Sequence, residues 1–396
     1  MASTLRVLFS TPPGLGHFLP VVPLAWTVLA FGHPVRVVTS GAAVEAAARA
    51  GLPVVDIAPD LHGKRSIGSG SLDLADSVNR INPAGRSSRQ FTEFDDTIAR
   101  RAIHAITSWH PDLIVHTVGD FVAPRVASLY SIPLVLHGLG FRSSGSSAMS
   151  APPDQRSLLR EVGLDAKPPH AAAVLDTCPP SMRELGRPTA WPMRYISYNG
   201  GGASPAWLYR PRSRSRVCVT LGTVVPAVAG VGRFLPIIDT LRDLDVEVIL
   251  LLGGADRAPL GPLPDSVLTA AWMPLSELLP TCALIIHHGG EGTTMSAIVA
   301  GIPQLVLDYR DATAVVSRGL GLSLPADAVE SSAIRCSVEQ LLHEPSFRRV
   351  AEEVRMENSA LPSPSTVCSN LGELVVESRV SRFVTAEAVR PGPGGL

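Results

Sequence analysis

The sequence predicts an α/β protein built from two open parallel-sheet domains, and three observations indicate this class. Apolar strand candidates alternate with helix candidates in both halves of the chain. The chain has 396 residues, more than one hydrophobic core usually supports, so two domains are expected. Hydrophobic residues make up 45% and charged residues 17% of the chain, a composition typical of buried parallel sheets covered by helices.

The first half of the chain shows this alternation in order. Predicted strands cover residues 5–9, 35–38, 54–57, 113–115 and 134–136. Predicted helices cover residues 18–30, 42–50, 94–108 and 124–130. The polar, glycine- and serine-rich stretch 61–89 interrupts the series and is too long for an ordinary connection. It is predicted to be either a mobile substrate loop or a disordered segment.

A second series of strands follows a linker. The predicted strands of this half cover residues 217–221, 246–252, 267–270, 283–286 and 304–307. Residues 197–214 are rich in glycine, proline and arginine, the composition of an interdomain connection. The domains predicted from these patterns are 1–200 and 215–375, with a C-terminal tail over 376–396 whose last residues, 390–396, are expected to be disordered. Open α/β sheets bind ligands outside the carboxyl ends of their strands, so the two domains are expected to face each other across a cleft.

Charge and cysteine usage narrow the class of protein. The net charge of −1 leaves no overall electrostatic attraction for nucleic acid or an anionic membrane. The five cysteines are scattered and lack metal-ligand spacing, which favours reduced thiols in the cytoplasm. No apolar run has membrane-spanning length, and the amino terminus lacks a signal-peptide pattern. A cytoplasmic protein with neither a nucleic-acid nor a membrane partner is therefore expected.

The segment from His287 to Thr294 is the most informative motif, because it ends an apolar strand and opens a helix with glycines and hydroxyls. The first-turn amides of a helix lack intrahelical partners, and the helix dipole favours negative charge there. Glycines let a phosphate approach the backbone closely, and a neighbouring histidine can donate a hydrogen bond to it. The motif therefore predicts a phosphate-binding turn. The turn alone also fits a helix capped by Thr293 after a strand whose histidines are merely packed.

Two motifs carry a resemblance to a known family. The stretch 272–304, which begins Trp272-Met273-Pro274-Leu275, resembles the donor-binding signature of nucleotide-sugar-dependent glycosyltransferases of the GT-B type. It is most similar to that of the bacterial enzymes that attach deoxysugars to polyketide and other antibiotic aglycones. The turn Pro12-Pro13-Gly14-Leu15-Gly16-His17-Phe18-Leu19-Pro20 resembles the first strand-to-helix turn of the same family. The resemblance extends from residue 6 to about residue 324 and implies two Rossmann-like domains that face each other across a cleft.

The resemblance implies a reaction and a set of site residues. The reaction would be transfer of a deoxysugar, with inversion, from a thymidine diphosphate donor to a small hydrophobic aglycone, with His17 as general base. Trp272 would stack on the nucleotide base, and Met273 would offer backbone groups to the base edge. The diphosphate would contact the following residues: Gly222, Thr223, His288, Gly289, Gly290, Gly292 and Thr293. No carboxylate pair with metal spacing is present, so neither a metal nor a cofactor is expected.

Each of these assignments has a structural alternative. His17 could only cap or pack its turn. Gly222-Thr223 fits an ordinary strand-ending turn equally well. An indole buries well anywhere, so Trp272 could be a core aromatic.

The sequence departs from the family pattern at three places. Many relatives place an aspartate that orients the basic histidine where this chain has Thr117, so Asp120 is the nearest acid that can substitute for it, unless it is an ordinary solvated aspartate. The family's Asp-Gln pair for sugar hydroxyls is replaced by a shortened segment, 308–312, in which Asp311 is the remaining candidate contact for the donor sugar. A site with few polar groups suits a sugar with few hydroxyls. Glu291 lies inside the phosphate turn and is expected to point to solvent.

Other protein classes fit the sequence less well than a transferase. A nicotinamide dehydrogenase would need a third glycine where Leu19 stands, and an acid after its second strand, where the sequence has Thr39-Ser40. A sugar-nucleotide epimerase shares the architecture but not the proline-flanked turn at His17. A non-catalytic helper of a partner glycosyltransferase remains the alternative function. Contacts to the aglycone are expected from 61–89 and 141–169, and the pattern leaves open a homodimer and the choice among O-, N- and C-glycosylation.

Overall fold

The computed structural model describes residues 4–61, 96–141, 153–164, 171–183, 190–308, 312–325 and 330–388. These residues form two α/β units, each with one parallel sheet. The stretch predicted as a substrate loop lies outside the described residues from position 62 onward, as does most of the second predicted aglycone segment. Asp311 and the chain end after residue 388 also lie outside them.

The N-terminal sheet has seven parallel strands in the order β3-β2-β1-β4-β5-β6-β7. The strands are β1 (Val7–Ser10), β2 (Val35–Thr39), β3 (Val54–Asp56), β4 (Leu113–His116), β5 (Leu134–His137), β6 (Ala173–Asp176) and β7 (Trp191–Pro192). The central strand β1 pairs on both sides, with Val7 opposite Val35 of β2 and Leu113 of β4. The chain order reverses direction between β1 and β4, which makes their carboxyl ends the expected place for a ligand.

Helices cover both faces of this sheet. They are α1 (Leu15–Phe18), α2 (Val22–Ala30), α3 (Ala42–Arg49), α4 (Asp96–Thr107), α5 (Ala123–Leu129) and α6 (Pro153–Glu161). The single helix predicted over 18–30 is instead divided by a 3-10 turn at Leu19–Val21, because Pro20 and Pro23 each occupy a first-turn position, where a missing amide costs least. Side chains alternate between two cores: Val7 and Phe9 pack on one face of β1, and Leu8 packs on the other.

The C-terminal sheet has six parallel strands in the order β10-β9-β8-β11-β12-β13. The strands are β8 (Ser215–Thr220), β9 (Val246–Leu251), β10 (Val267–Ala270), β11 (Leu284–His287), β12 (Gln304–Asp308) and β13 (Gly321–Pro325). The helices are α7 (Val224–Ala229), α8 (Leu235–Leu241), α9 (Leu275–Leu278), α10 (Glu291–Ala300), α11 (Thr313–Arg318), α12 (Ser331–His343) and α13 (Pro345–Ala360). Here the order reverses between β8 and β11, again at the predicted site.

The last helix, α14 (Pro364–Ala388), returns to the N-terminal domain. Its side chains Val367, Cys368, Leu371 and Val375 are buried in the same core as α2. Apolar residues spaced four apart form one stripe of a helix, and this stripe finds its partner on α2 rather than in solvent. The structure therefore differs from the predicted tail: the boundary at 375 falls inside α14, and residues 376–388 are helical.

Hydrogen bonds connect the two domains near α13. The Asn358 side chain accepts from Tyr195 N at 3.0 Å and donates to Tyr195 O at 3.1 Å. Arg318 Nε donates to Ser181 Oγ at 2.7 Å, and Ser181 N donates to a carboxylate oxygen of Glu357 at 2.9 Å. These contacts join the segment 181–195 of the N-terminal domain to α11 and α13 of the C-terminal domain. Within the described part of the chain, no helix combines the length and apolar character needed to cross a membrane.

Candidate active site at the carboxyl ends of the two sheets

The first part of the site is the turn that follows β1. His17 lies in the single turn of α1, with its amide donating to Gly14 O at 3.0 Å, and its side chain is half-buried. The imidazole borders the turn that follows β4, because a Cβ built on Gly119 would lie 3.9 Å from His17 Cε1. The pairing of β1 with β4 thus brings the predicted base and the predicted acid, Asp120, to one edge of the sheet.

Asp120 is held by the start of α5. Its Oδ1 atom accepts hydrogen bonds from Val122 N and Ala123 N, each at 3.1 Å. Its Oδ2 atom is buried and has no hydrogen-bond partner among the described residues. Asp120 is therefore not an ordinary solvated aspartate. One oxygen is fixed by the helix amides, and the other is available to a neighbouring ring or a substrate.

Sequence reasoning missed His116, the last residue of β4. The side chain is 1% exposed, and both ring nitrogens lack a hydrogen-bond partner in the part of the chain that the structure describes. Burial lowers the pKa of His116, while the negative charge of Asp120 acts in the opposite direction. Thr117, which stands where many relatives have an aspartate, is also buried, and its Oγ1 likewise lacks a partner among these residues. This edge is thus rich in buried polar atoms.

The second part of the site surrounds the ring of His288. A Cβ on Gly222 would lie 2.6 Å from His288 Cε1, and a Cβ on Gly290 would lie 2.4 Å from His288 Nε2. Neither distance is compatible with a side chain, so both positions require glycine for the imidazole to lie between them. The structure therefore brings Gly222, from the end of β8, against the turn that follows β11, as the predicted diphosphate site requires.

His287, one residue earlier, has a structural role. It is fully buried, its Nε2 lies 2.9 Å from Gln304 Oε1, and its Nδ1 accepts from Gly289 N at 3.2 Å. These partners place the proton on Nε2 and leave Nδ1 as an acceptor, which is the neutral ring. Burial lowers the pKa of His287 to about 4. The alternative interpretation of packed histidines therefore holds for His287, and the role of His288 in binding phosphate stays a prediction.

The amide groups of the turn belong to the start of α10. Thr293 N and Thr294 N both donate to Gly290 O at 3.0 Å, so the amides that precede them in the first turn have no acceptor within the helix. Gly290 is the N-cap residue, and no side chain caps this end. Thr293 is therefore not the cap that the alternative interpretation required. Gly289 adopts a positive φ of 79°, which turns the chain from β11 into α10.

A further glycine, which the sequence analysis did not identify, supports the turn at Gly222. Gly222 N donates to Thr220 Oγ1 at 3.2 Å, and Thr223 follows as the half-buried N-cap of α7. A Cβ on Gly253, after β9, would lie 2.2 Å from Gly222 O. The turn after β9 therefore packs directly on the turn after β8 and fixes its position.

Trp272 and Met273 follow β10 at the same edge. Trp272 is 42% exposed, so it is not a core aromatic, and its indole is available to stack on a base. Met273 is 5% exposed and packs in the core with Cys218 and Leu278. The buried Met273 side chain anchors the segment that presents the exposed indole.

Glu291 was expected to point to solvent, but the structure places it against the N-terminal domain. A Cβ on Gly140 would lie 2.8 Å from Glu291 Cγ and 2.9 Å from Met295 Cγ, so this face of α10 touches the loop that follows β5. Burial, with the negative charge of Glu291 as a second cause, raises the pKa of Tyr195. The expectation was wrong because it was based on the turn alone. In the folded chain, the loop that follows β5 covers this side of α10.

The last two predictions concern a contact to the donor sugar and a metal site. Asp311 lies outside the described residues, so its predicted contact with the donor sugar has no structural account. Within the described ranges, no cluster of three or more His, Cys, Asp or Glu side chains could hold a metal ion.

Comparison with known proteins decides the family. Residues 26–222 match the model of the N-terminal domain of erythromycin biosynthesis protein CIII-like proteins, and residues 236–374 match the model of their C-terminal domain. The chain belongs to this family. It is a glycosyltransferase of the GT-B fold, which confirms the family and the enzyme class predicted from the sequence.

Three relatives show how far the similarity of this glycosyltransferase extends. L-demethylnoviosyl transferase of Streptomyces niveus is 35% identical over 390 residues, which cover 93% of this chain and 97% of the relative. The crystal structure of the glycosyltransferase SnogD from Streptomyces nogalater is 34% identical, with a TM-score of 0.73 and coverage of 94% of this chain and 100% of its own. The spinosyn rhamnosyltransferase SpnG, complexed with thymidine diphosphate, is 28% identical, with a TM-score of 0.73 and coverage of 93% and 100%.

Proposed function

We propose that this glycosyltransferase moves a deoxysugar from thymidine diphosphate to a small hydrophobic aglycone of the polyketide type, with inversion and with His17 as the base. The observation that carries the proposal is the pair of edges described above. At one edge His17 borders the turn that carries the fixed carboxylate of Asp120, and at the other His288 lies between glycines at a helix start. The complex of SpnG with thymidine diphosphate supports the choice of nucleotide, and the structure of SpnG with spinosyn aglycone supports the class of acceptor.

The donor would be bound by the C-terminal edge. Its diphosphate would accept hydrogen bonds from the first amides of α10 and from His288, where the helix dipole also favours negative charge. The base would stack on the exposed indole of Trp272, and the backbone of Met273 would meet the base edge. Gly222 and Thr223 would contact the diphosphate from β8. All of these groups belong to turns at one end of one sheet, so the site is formed before the donor binds.

The chemistry would start at the N-terminal edge. His17 takes the proton from the acceptor nucleophile while that atom forms a bond to the anomeric carbon. The bond between the anomeric carbon and the diphosphate oxygen breaks, and its electron pair leaves with the nucleoside diphosphate. The charge on the departing diphosphate is stabilised by His288 and the α10 amides rather than by a metal ion. Asp120, fixed by the start of α5, would orient the His17 ring and stabilise the imidazolium that forms.

A turnover assay tests the proposal. The enzyme is incubated with thymidine diphosphate sugars and with aromatic or macrolide aglycones, and the products are identified by mass spectrometry. A product heavier than the aglycone by one deoxysugar residue is the expected result. If the chain neither binds thymidine diphosphate nor glycosylates any such aglycone, the proposal is wrong.

The deoxysugar part of the proposal has its own test. It is supported by the shortened segment 308–312, which carries no glutamine, and by the rhamnosyl transfer named for SpnG, since rhamnose lacks the 6-hydroxyl. A pocket with few polar groups loses little when a hydroxyl is absent but cannot strongly reject one, so the preference is expected to be about 10² or less. The measurement is kcat/KM for thymidine diphosphate glucose against its 2,6-dideoxy counterpart with one acceptor. Higher efficiency with glucose would refute the deoxysugar preference and leave the transferase intact.

A further inference from the structure

The linker between the two domains contacts both segments of the proposed donor site. Asn199 makes the hydrogen bonds that connect the linker to them. Asn199 Oδ1 accepts from Ser276 N at 3.0 Å, and Asn199 Nδ2 donates to Ser296 Oγ at 3.1 Å. Ser197 Oγ lies within hydrogen-bond distance of both, 2.9 Å from Asn199 Oδ1 and 2.8 Å from Ser296 Oγ. One side chain of the linker thus joins two segments that are separate in the C-terminal domain.

The two segments carry the two halves of the proposed nucleotide site. Ser276 lies in the first turn of α9, directly after the segment that presents Trp272. The N-cap residue of α9, Pro274, has no side-chain cap, so Asn199 supplies the missing acceptor from a distant part of the chain. Ser296 lies in α10, and its Oγ donates to Gly292 O at 2.7 Å, inside the phosphate turn.

The linker backbone also packs against the base-stacking segment. A Cβ on Gly200 would lie 3.4 Å from Trp272 Nε1 and 3.6 Å from Trp272 Cζ2. Gly200 has a positive φ of 81°, and a Cβ on Gly202 would lie 3.5 Å from Pro274 Cδ. The linker therefore lies along one edge of the indole and leaves the rest of the ring exposed.

We propose that Asn199 is a positioning residue for the donor nucleotide, because it fixes the distance between the Trp272 segment and the phosphate helix α10. This inference rests on the proposed function. A nucleotide joins its base and its diphosphate covalently, so both are bound at full strength only when their two sites have the matching separation. A site held in that geometry before binding does not lose affinity to ordering it.

The test compares three probes on the wild-type enzyme and on Asn199→Ala. For thymidine diphosphate, the dissociation constant of Asn199→Ala is expected to rise about tenfold, the effect of one or two lost hydrogen bonds. For thymidine alone and for pyrophosphate alone, it is expected to stay within about twofold of wild type, since each half of the site is intact. Ser296→Ala, which places a good helix former in α10, should weaken thymidine diphosphate in the same direction by a smaller factor.

Asn358→Ala is the matched control. Asn358 also joins the segment before the linker to the C-terminal domain, through two hydrogen bonds to the Tyr195 backbone. Among the described residues, no hydrogen bond links Asn358 to Trp272 or to the phosphate turn. The control should lose thermal stability and keep the thymidine diphosphate affinity of the wild type. Equal weakening in Asn199→Ala and Asn358→Ala, or an unchanged affinity in Asn199→Ala, would overturn the role of Asn199. If the wild type binds thymidine and pyrophosphate but not thymidine diphosphate, the positioning inference fails, whereas binding of no probe at all contradicts the proposed function.

Discussion

The two sheet edges that form the proposed site differ in their chemical groups: one carries titratable side chains, and the other presents mainly backbone. The N-terminal edge carries titratable side chains. His17 lies in α1 after β1, His116 ends β4 and Asp120 follows it, with several buried polar atoms among them. The C-terminal edge is made mainly of backbone, where Gly222 and Gly290 flank His288 and no side chain caps the start of α10. Even its buried histidine, His287, is fully hydrogen-bonded and neutral.

This difference matches two tasks of glycosyl transfer. Removing a proton from the acceptor requires a titratable group that is held in place. Stabilising a diphosphate requires donors that do not change their charge during the reaction, and backbone amides meet that need. A substitution at the N-terminal edge should therefore affect turnover, whereas a substitution at the C-terminal edge should affect nucleotide affinity.

The largest effect is expected for His17→Ala. Without a base, kcat should fall by about 10² to 10⁴. The exposed His104 of α4 provides a control in the same domain, and His104→Ala should retain wild-type turnover. The check is steady-state kinetics at saturating donor. Full activity in His17→Ala would remove this residue from the mechanism.

Gly290→Ala tests the C-terminal edge by steric exclusion. The new Cβ would lie 2.4 Å from His288 Nε2, so the imidazole must leave its place at the proposed diphosphate site. Thymidine diphosphate affinity is expected to fall about tenfold to hundredfold, the effect of losing a charge-assisted hydrogen bond. Gly232→Ala, where the added Cβ meets nothing within 4 Å, serves as the control. Calorimetry that finds equal affinities in both variants would contradict the placement of His288 at the diphosphate.

Trp272→Ala separates base binding from phosphate binding. Base stacking on an aromatic side chain contributes about 1 to 3 kcal/mol, so the affinity for thymidine diphosphate should fall about fivefold to hundredfold. Pyrophosphate, which has no base, should bind as it does to the wild type. Trp272→Phe should recover part of the loss because it retains an aromatic face. Equal losses for both ligands would indicate that Trp272 supports the fold rather than the base.

The smallest effect concerns stability rather than catalysis. Burial lowers the pKa of His137 and of His287 to about 4, whereas an unfolded histidine titrates near 6.5. Between these values the unfolded chain binds protons that the folded chain does not, so acidification favours unfolding. Urea denaturation at pH 7, 6 and 5 should show a free energy of unfolding that falls by up to about 1 kcal/mol per pH unit for each histidine. His287→Gln should have a shallower slope than the wild type, and an unchanged slope would argue against a neutral, buried His287.

The same contrast explains which features the sequence could predict. The phosphate turn after β11 could be predicted from local chemistry because its glycines and hydroxyls are consecutive in the sequence. The roles predicted for Trp272, Met273, Gly222 and Thr223 came from the family resemblance instead. Most strands were also predicted, and β10 has the bounds 267–270 that apolar patterning indicated, but β6 and β13 were missed. Buried parallel strands produce apolar runs that are easily seen in a sequence.

Features created by long-range packing were not predicted. His116 lies at the N-terminal edge because β4 pairs with β1, and Asn199 reaches the donor site because the linker folds back on α9 and α10. The short strand β7, with two residues, gives too little pattern to detect. The return of α14 to the N-terminal core depends on a contact with α2 more than 300 residues away, which no local signal encodes.

The two edges are expected to have separate tasks, and one binding measurement tests this separation most directly. Thymidine diphosphate is titrated by calorimetry into the wild type, His17→Ala and His288→Ala. The dissociation constant of His17→Ala should equal that of the wild type, while that of His288→Ala should be at least about tenfold higher. If His17→Ala weakens the nucleotide as much as His288→Ala does, or if His288→Ala binds like the wild type, the division of tasks between the two edges is wrong.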